Sequence, residues 1–115
     1  MQLINMTPHA LNLYTTEGVV ELPVSGQLAR VRSSSVFVGE AGGMPVYENA
    51  FSDVEGLPEP QDGVIYVTSS LVLKALASAG ISRPDVLAPG TGPNDGAVRD
   101  ASGRIVGVTR LVREG

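Results

Sequence analysis

Two short clusters and one basic side chain carry the residue types best suited to chemistry: Thr68-Ser69-Ser70, Gly90-Thr91-Gly92 and Arg99. Hydroxyls set directly before a helix cap its free N–H groups, and the same amino end offers a favourable dipole to an anion. Glycines let backbone approach a ligand closely, and a guanidinium recognises phosphate or carboxylate in a bidentate fashion. These residues together predict an anion-binding site, with Thr68, Ser69, Ser70, Gly90, Thr91, Gly92 and Arg99 as its ligand set. A plainer reading stands beside it. The hydroxyls then only cap the helix, the glycines only turn the chain, and Arg99 pairs with Asp85, Asp95 or Asp100 at the surface, a contact worth little.

His9 is the single histidine and completes the candidate ligand set. It can titrate near neutrality and serve as a general base with Asp100 or a serine. Neither a nucleophile elbow nor a histidine-glutamate metal motif accompanies it, so its expected role is to orient the first turn. One histidine and no cysteine exclude a multi-histidine metal site, a thiolate nucleophile and a disulfide framework. No catalytic residue, metal or cofactor is expected. Gly90-Thr91-Gly92 lacks the dinucleotide fingerprint because Asp95 stands where the third glycine belongs, and no Walker-type Gly-Lys-Ser/Thr occurs.

The elements that must position these residues follow from hydrophobic pattern and breakers. Val64 to Val67 reads as a buried strand, and Leu71 to Ala79 as a helix with Val72, Ala75, Leu76 and Ala79 on one face, stopped by Gly80. Asp85 to Ala88 supplies the next strand, so residues 64–88 predict a β-α-β unit with its helix at about 69–79. The Thr68 turn and the 89–96 loop then leave the carboxyl ends of neighbouring strands and can meet around one ligand. Ala97 to Asp100 and Arg104 to Val112 predict a C-terminal hairpin, with Asp100 stabilising the Ala101-Ser102-Gly103 turn.

Upstream, short strands are expected at 2–5, 10–15 and 19–22, with a bend at Met6-Thr7-Pro8-His9. The stretch from Leu28 to Val38 carries Arg30 and Arg32 on one face and can break at Ser33-Ser34-Ser35. Gly39 to Gly43 reads as a turn, and Met44 to Tyr47 as an edge strand because of Pro45. Residues 50–63, rich in Pro, Gly and acids, form a loop that divides a β-rich amino-terminal part from the remainder. The fold expected is a single α+β domain over 1–115, mostly short strands in a mixed sheet or partial barrel with one main helix.

Eight basic and twelve acidic residues give a net charge of −4 with no basic block, which disfavours nucleic acid as a partner. No secretory signal or membrane span is evident, so the expected location is the cytoplasm of a bacterial or infected host cell.

Leu3-Ile4-Asn5-Met6-Thr7-Pro8-His9 resembles the Asn-Leu-Thr-Pro-His opening of a family of short phage and actinobacterial proteins, with Met6 where the family carries Leu. Gly56 to Pro60, Ile65 to Ser69, Asp85 to Pro93, Val98-Arg99-Asp100 and Gly103 to Val108 are similar to its later landmarks. The resemblance spans most of the chain and implies a phage accessory or host-interaction role. The family brings no assigned reaction, so no catalytic residue carries over.

The expected function is therefore non-enzymatic binding of a small, nucleotide-like anion, with homo-oligomerisation helping to complete a pocket. Two alternatives stand beside it: an interaction module offering a strand edge or the Leu57-Pro58-Glu59-Pro60 loop to a host protein, and an enzyme using His9.

Overall fold

Strand outweighs helix by 43% to 8%, as the abundance of Val and the scarcity of long helical patterns lead one to expect. The computed structural model describes residues 1–113. In chain order its elements are β1 (Gln2–Asn5), β2 (Leu11–Thr15), β3 (Gly18–Leu22), β4 (Ser33–Ala41), β5 (Met44–Phe51), β6 (Val64–Val67), α1 (Ser70–Ser78), β7 (Val86–Pro89), β8 (Val98–Arg99), β9 (Ile105–Gly107) and β10 (Leu111–Val112). The chain is α+β, with a mixed sheet and no closed barrel among the described residues.

Four strands in the order β1-β6-β7-β10 form the central sheet. β6 runs parallel to both β1 and β7, while β10 closes the far edge antiparallel to β7. α1 lies in the connection from β6 to β7 and buries Val72, Leu73, Ala75 and Leu76. Of these, Val72, Leu73 and Leu76 meet Met6, Tyr66, Val86 and Ala88, and Ile4, Val54, Leu57, Val64 and Val112 pack around that cluster. Each large apolar side chain fully buried there contributes about 1.5–3 kcal/mol.

Sequence pattern places the helix correctly because its signals are local. Ser69, at φ −73° and ψ 157°, accepts a long hydrogen bond from Val72 N–H at 3.4 Å through its side chain. At the other end, Gly80 and Ile81 N–H groups donate to the Ala77 and Leu76 carbonyls. The C-terminal segment is less continuous than the pattern suggests. Instead of one long strand from Arg104 to Val112, β9 pairs with β8 and β10 joins the central sheet, with Val108 bridging to Leu13 between them.

The stretch from 28 to 38 also divides differently. Arg30 and Glu55 exchange both backbone hydrogen bonds at 2.8 Å, whereas β4 begins only at Ser33 and runs past the expected turn to Ala41. Gly42 and Gly43, at φ +59° and +81°, make the connection in two residues, a conformation that suits glycine in a tight hairpin. Val38 is an extra residue in the ladder, so β4 carries a bulge. β5 extends to Phe51 into what reads as loop.

Among the described residues the β4–β5 ribbon has no third strand on either edge. Phe37 and Tyr47, opposite each other in the register, stack edge to face with ring centroids 5.6 Å apart, yet both are more than half exposed. Val36, Val38 and Met44 are likewise exposed.

The 57–60 loop is tied to the body. Arg83 Nε and one terminal nitrogen donate to the two Asp85 carboxylate oxygens at 2.9 Å, and that terminal nitrogen also donates to the Pro58 carbonyl at 2.8 Å. The Tyr66 hydroxyl reaches the Glu59 carbonyl at 3.4 Å. Hydrogen bonding from Arg83 holds the Asp85 carboxyl below its ordinary range, against an opposing contribution from desolvation. A depressed folded-state pKa means that the unfolded chain binds the proton more readily. The stabilisation is thus complete above the ordinary carboxylate value, about 3.9, and is lost as pH falls through the lower folded value. Asp85→Asn is expected to lower stability by about 2 kcal/mol at pH 7. In urea titrations that deficit should shrink below about pH 4; a deficit independent of pH down to full protonation would contradict the ion-pair account.

Candidate functional site

The opening segment is built from a buried asparagine. Asn5, 1% exposed, donates through Nδ2 to the His9 carbonyl at 2.8 Å and the Leu22 carbonyl at 3.1 Å. Its Oδ1 accepts from Thr7 N–H at 2.9 Å and lies 2.6 Å from the Thr7 hydroxyl, which is also 2.9 Å from the His9 carbonyl. The Asn5 carbonyl accepts from Ser25 N–H and from its hydroxyl at 2.6 Å. His9 therefore serves this turn through its carbonyl, while the residue is exposed. That explains why polar residues at 5 and 7 precede Pro8: they hold a bend that the backbone alone cannot hydrogen-bond.

From this hub the chain reaches the site. Met6 N–H donates to the Val67 carbonyl, and Ala29 N–H donates to the Met6 carbonyl. Residues 30–32 then run against 52–55. Besides the paired bonds of Arg30 with Glu55, Ser52 N–H donates to the Arg32 carbonyl at 2.8 Å, and Arg32 N–H to the Ser52 hydroxyl at 2.9 Å. This ladder sets Arg30 and Arg32 beside the amino end of α1.

The result is an open cleft of about 470 Å³, lined by Ala29, Arg30, Val31, Arg32, Ser52 and Glu55 on one side and by Ser69, Leu71 and Val72 on the other. The N–H groups of Ser70 and Leu71 belong to the first turn of α1, where no intrahelical acceptor exists. No acidic residue occupies that turn to offset its positive end. Among the described residues the only ion pair is Arg83–Asp85, so neither Arg30 nor Arg32 is neutralised by a carboxylate within 4 Å, Glu55 included. A cleft of this size, with two arginine residues and a helix amino end in its lining, can hold a phosphate- or carboxylate-bearing small molecule.

Of the residues singled out from sequence, Ser69 lines this cleft and Ser70 opens the helix beside it. Thr68 is fully buried; its N–H donates to the Leu87 carbonyl at 2.8 Å, and its hydroxyl lies 3.3 Å from the Ser69 carbonyl. Its role is to join β6 to β7. The glycine-rich loop turns elsewhere: Gly90 N–H donates to the Arg110 carbonyl, Gly92 N–H donates to the Asp95 carboxylate at 2.9 Å, and Thr91 is exposed. Arg99 donates to the Gly103 carbonyl at 2.8 Å within its own hairpin. Gly90, Thr91, Gly92, Arg99 and His9 do not line the cleft.

Asp100 is a turn residue, accepting from Ser102 N–H and hydroxyl and from Arg104 N–H. Hydrogen bonding, first from the Ser102 hydroxyl and then from Arg104 N–H, lowers its pKa. From sequence, Arg30 and Arg32 share one face of an extended stretch, with nothing to bring them to the helix. The ladder between residues 30–32 and 52–55 does so, and no local pattern announces it.

Among the described residues no group of three or more His, Cys, Asp or Glu side chains is arranged to hold a metal ion, and no helix is long and apolar enough to cross a membrane. No protein-family model, curated protein or solved structure matches the chain.

Proposed function

We propose that the protein is a non-enzymatic binding protein that takes a small phosphate-bearing anion, nucleotide-like in size, into the Arg30–Arg32–Ser69 cleft. The observation that carries this reading is the meeting of two guanidinium-bearing residues, without an ion pair among the described residues, with a helix amino end that has no acid in its first turn. Apolar Val31, Leu71 and Val72 in the same lining would cover a base or other uncharged part of the ligand. The opening and later landmarks that resemble phage and actinobacterial proteins favour sequestration of such a molecule, as an accessory role in the cytoplasm of a bacterial or infected cell.

Inorganic pyrophosphate and ADP are suitable probes, with binding followed by calorimetry and by amide chemical shifts. Each charge-assisted hydrogen bond to the anion is worth about 1.5–3 kcal/mol, so Arg30→Ala or Arg32→Ala should weaken binding by about tenfold to a hundredfold. Raising salt should weaken it further because the cleft is open to solvent. Arg99→Ala should leave affinity unchanged. The reading fails if neither probe perturbs the amides of residues 69–72 at millimolar concentration, or if Arg99→Ala abolishes binding while Arg32→Ala does not.

A further inference from the structure

We propose that the free β4 edge of the ribbon is an interface for a second copy of this chain, the two β4 strands pairing antiparallel about a two-fold axis. The interface shares Arg30 and Arg32 with the cleft, so it is tested on the ligand-free protein. A two-stranded ribbon is marginal in water by itself, and this one has both edges unpaired among the described residues. It also holds Val36, Phe37, Val38, Met44 and Tyr47 at 48% to 67% exposure.

Charge order selects both the edge and the direction. Along the β4 line, Arg30 and Arg32 stand at the foot and Glu40 near the tip, with no other charged residue between them. An antiparallel partner of the same sequence sets each Glu40 beside the other copy's Arg30 and Arg32, twice by symmetry. A parallel partner opposes like charges instead. The β5 line carries Glu48 and continues into Asp53 and Glu55, so its self-pairing sets acid against acid. Pro45 further removes a backbone donor from that strand.

Ser33, Ser34 and Ser35 are small enough for close approach. Nine residues of β4 give about 30 Å of edge. With flanking Val36, Phe37 and Val38, this buries on the order of 600 Å² per copy, near the lower bound for a specific interface. The expected dimer is therefore a micromolar one.

Sedimentation of the ligand-free protein from 5 to 200 µM tests the proposal (concentrations on the order of the expected dissociation constant). The expected result is reversible assembly to twice the 11.9 kDa chain mass. Glu40→Arg and Arg32→Glu should each weaken association about tenfold or more, and the double swap should return it to within about threefold of the original. Glu48→Arg, on the other strand, should change it by less than about twofold. Hydrogen exchange should slow with protein concentration at β4 amides and not at β5 amides. A monomer throughout the range overturns the proposal. So does a dimer indifferent to both β4 charge changes, or one dissociated equally by Glu48→Arg. The substituted side chains are exposed, and unchanged circular dichroism confirms that folding is retained.

Discussion

Asn5→Ala is expected to lower the free energy of unfolding by about 4 kcal/mol, a large share of the roughly 5–15 kcal/mol typical of a domain. The substitution leaves Thr7 N–H and the Leu22 carbonyl without the amide that now joins them, and removes one of two contacts to the His9 carbonyl. A buried polar group deprived of its partner costs about 1–3 kcal/mol, and Asn5 is almost wholly enclosed. Thermal unfolding should move down by about 15 °C. His9→Ala should cost less than about 0.5 kcal/mol because the carbonyl, retained in alanine, makes the contacts.

Asn5→Asp provides the sharper comparison. It points a carboxylate at two carbonyl oxygens in place of the donating amide, so repulsion and burial raise its folded-state pKa. The cost is then full above that raised value and declines as pH falls through it towards the unfolded value of about 3.9. Urea midpoints for the three variants between pH 4 and 7 check this account (a range set by the ordinary carboxylate and histidine values). A loss below about 1 kcal/mol for Asn5→Ala would show that water replaces the amide without penalty.

Gly56→Ala is the second substitution expected to have a large effect, about 3 kcal/mol or more. Gly56 has φ +83°, which disfavours a side chain, and a Cβ there would overlap the Leu28 carbonyl oxygen and press on backbone rather than a movable side chain. Gly63→Ala isolates the first contribution. Its φ is +74° but open space surrounds the added atom, so its cost should stay near 1 kcal/mol. The difference should reappear in ligand binding. Gly56 adjoins Glu55, whose backbone holds Arg30 in place, and relief of the overlap must shift one side of the cleft. Gly56→Ala should weaken pyrophosphate binding even where the protein remains folded, while Gly63→Ala should not. Equal urea midpoints for the two variants would remove the basis for this distinction.

These positions mark the boundary of what was legible in the sequence. Val64 to Val67, a helix cap within Thr68-Ser69-Ser70 and the stop at Gly80 are announced by neighbours a few residues away, and the structure has a strand at Val64–Val67, the cap at Ser69 and the helix end at Gly80. The carboxyl-terminal partner of the helix was not local in this sense. A link from Arg99 follows from expecting the Thr68 turn and the glycine-rich loop to meet around one ligand, with Arg99 pointing towards that loop. Asp95 and Gly103 instead satisfy that loop and that guanidinium within their own turns. Arg30 and Arg32 are set beside the helix by hydrogen bonds to Glu55 and Ser52, residues twenty or more positions further along the chain. The ribbon was hidden for another reason. Apolar residues fall on both of its faces, so alternation did not identify an inner side, and Gly39 read as a turn although the chain passes through it into further strand.

β1 and β6 lie side by side in the central sheet, but the chain between Asn5 and Val64 builds the β2–β3 and β4–β5 ribbons before it returns. Matched residues can be removed from β4 and β5, or added to them, without altering any hydrogen bond of that sheet. Each matched pair changes the reach of the ribbon by about 3.3 Å, at a small cost in chain entropy. The fold thus carries a ruler whose length is adjustable independently of the body it is attached to.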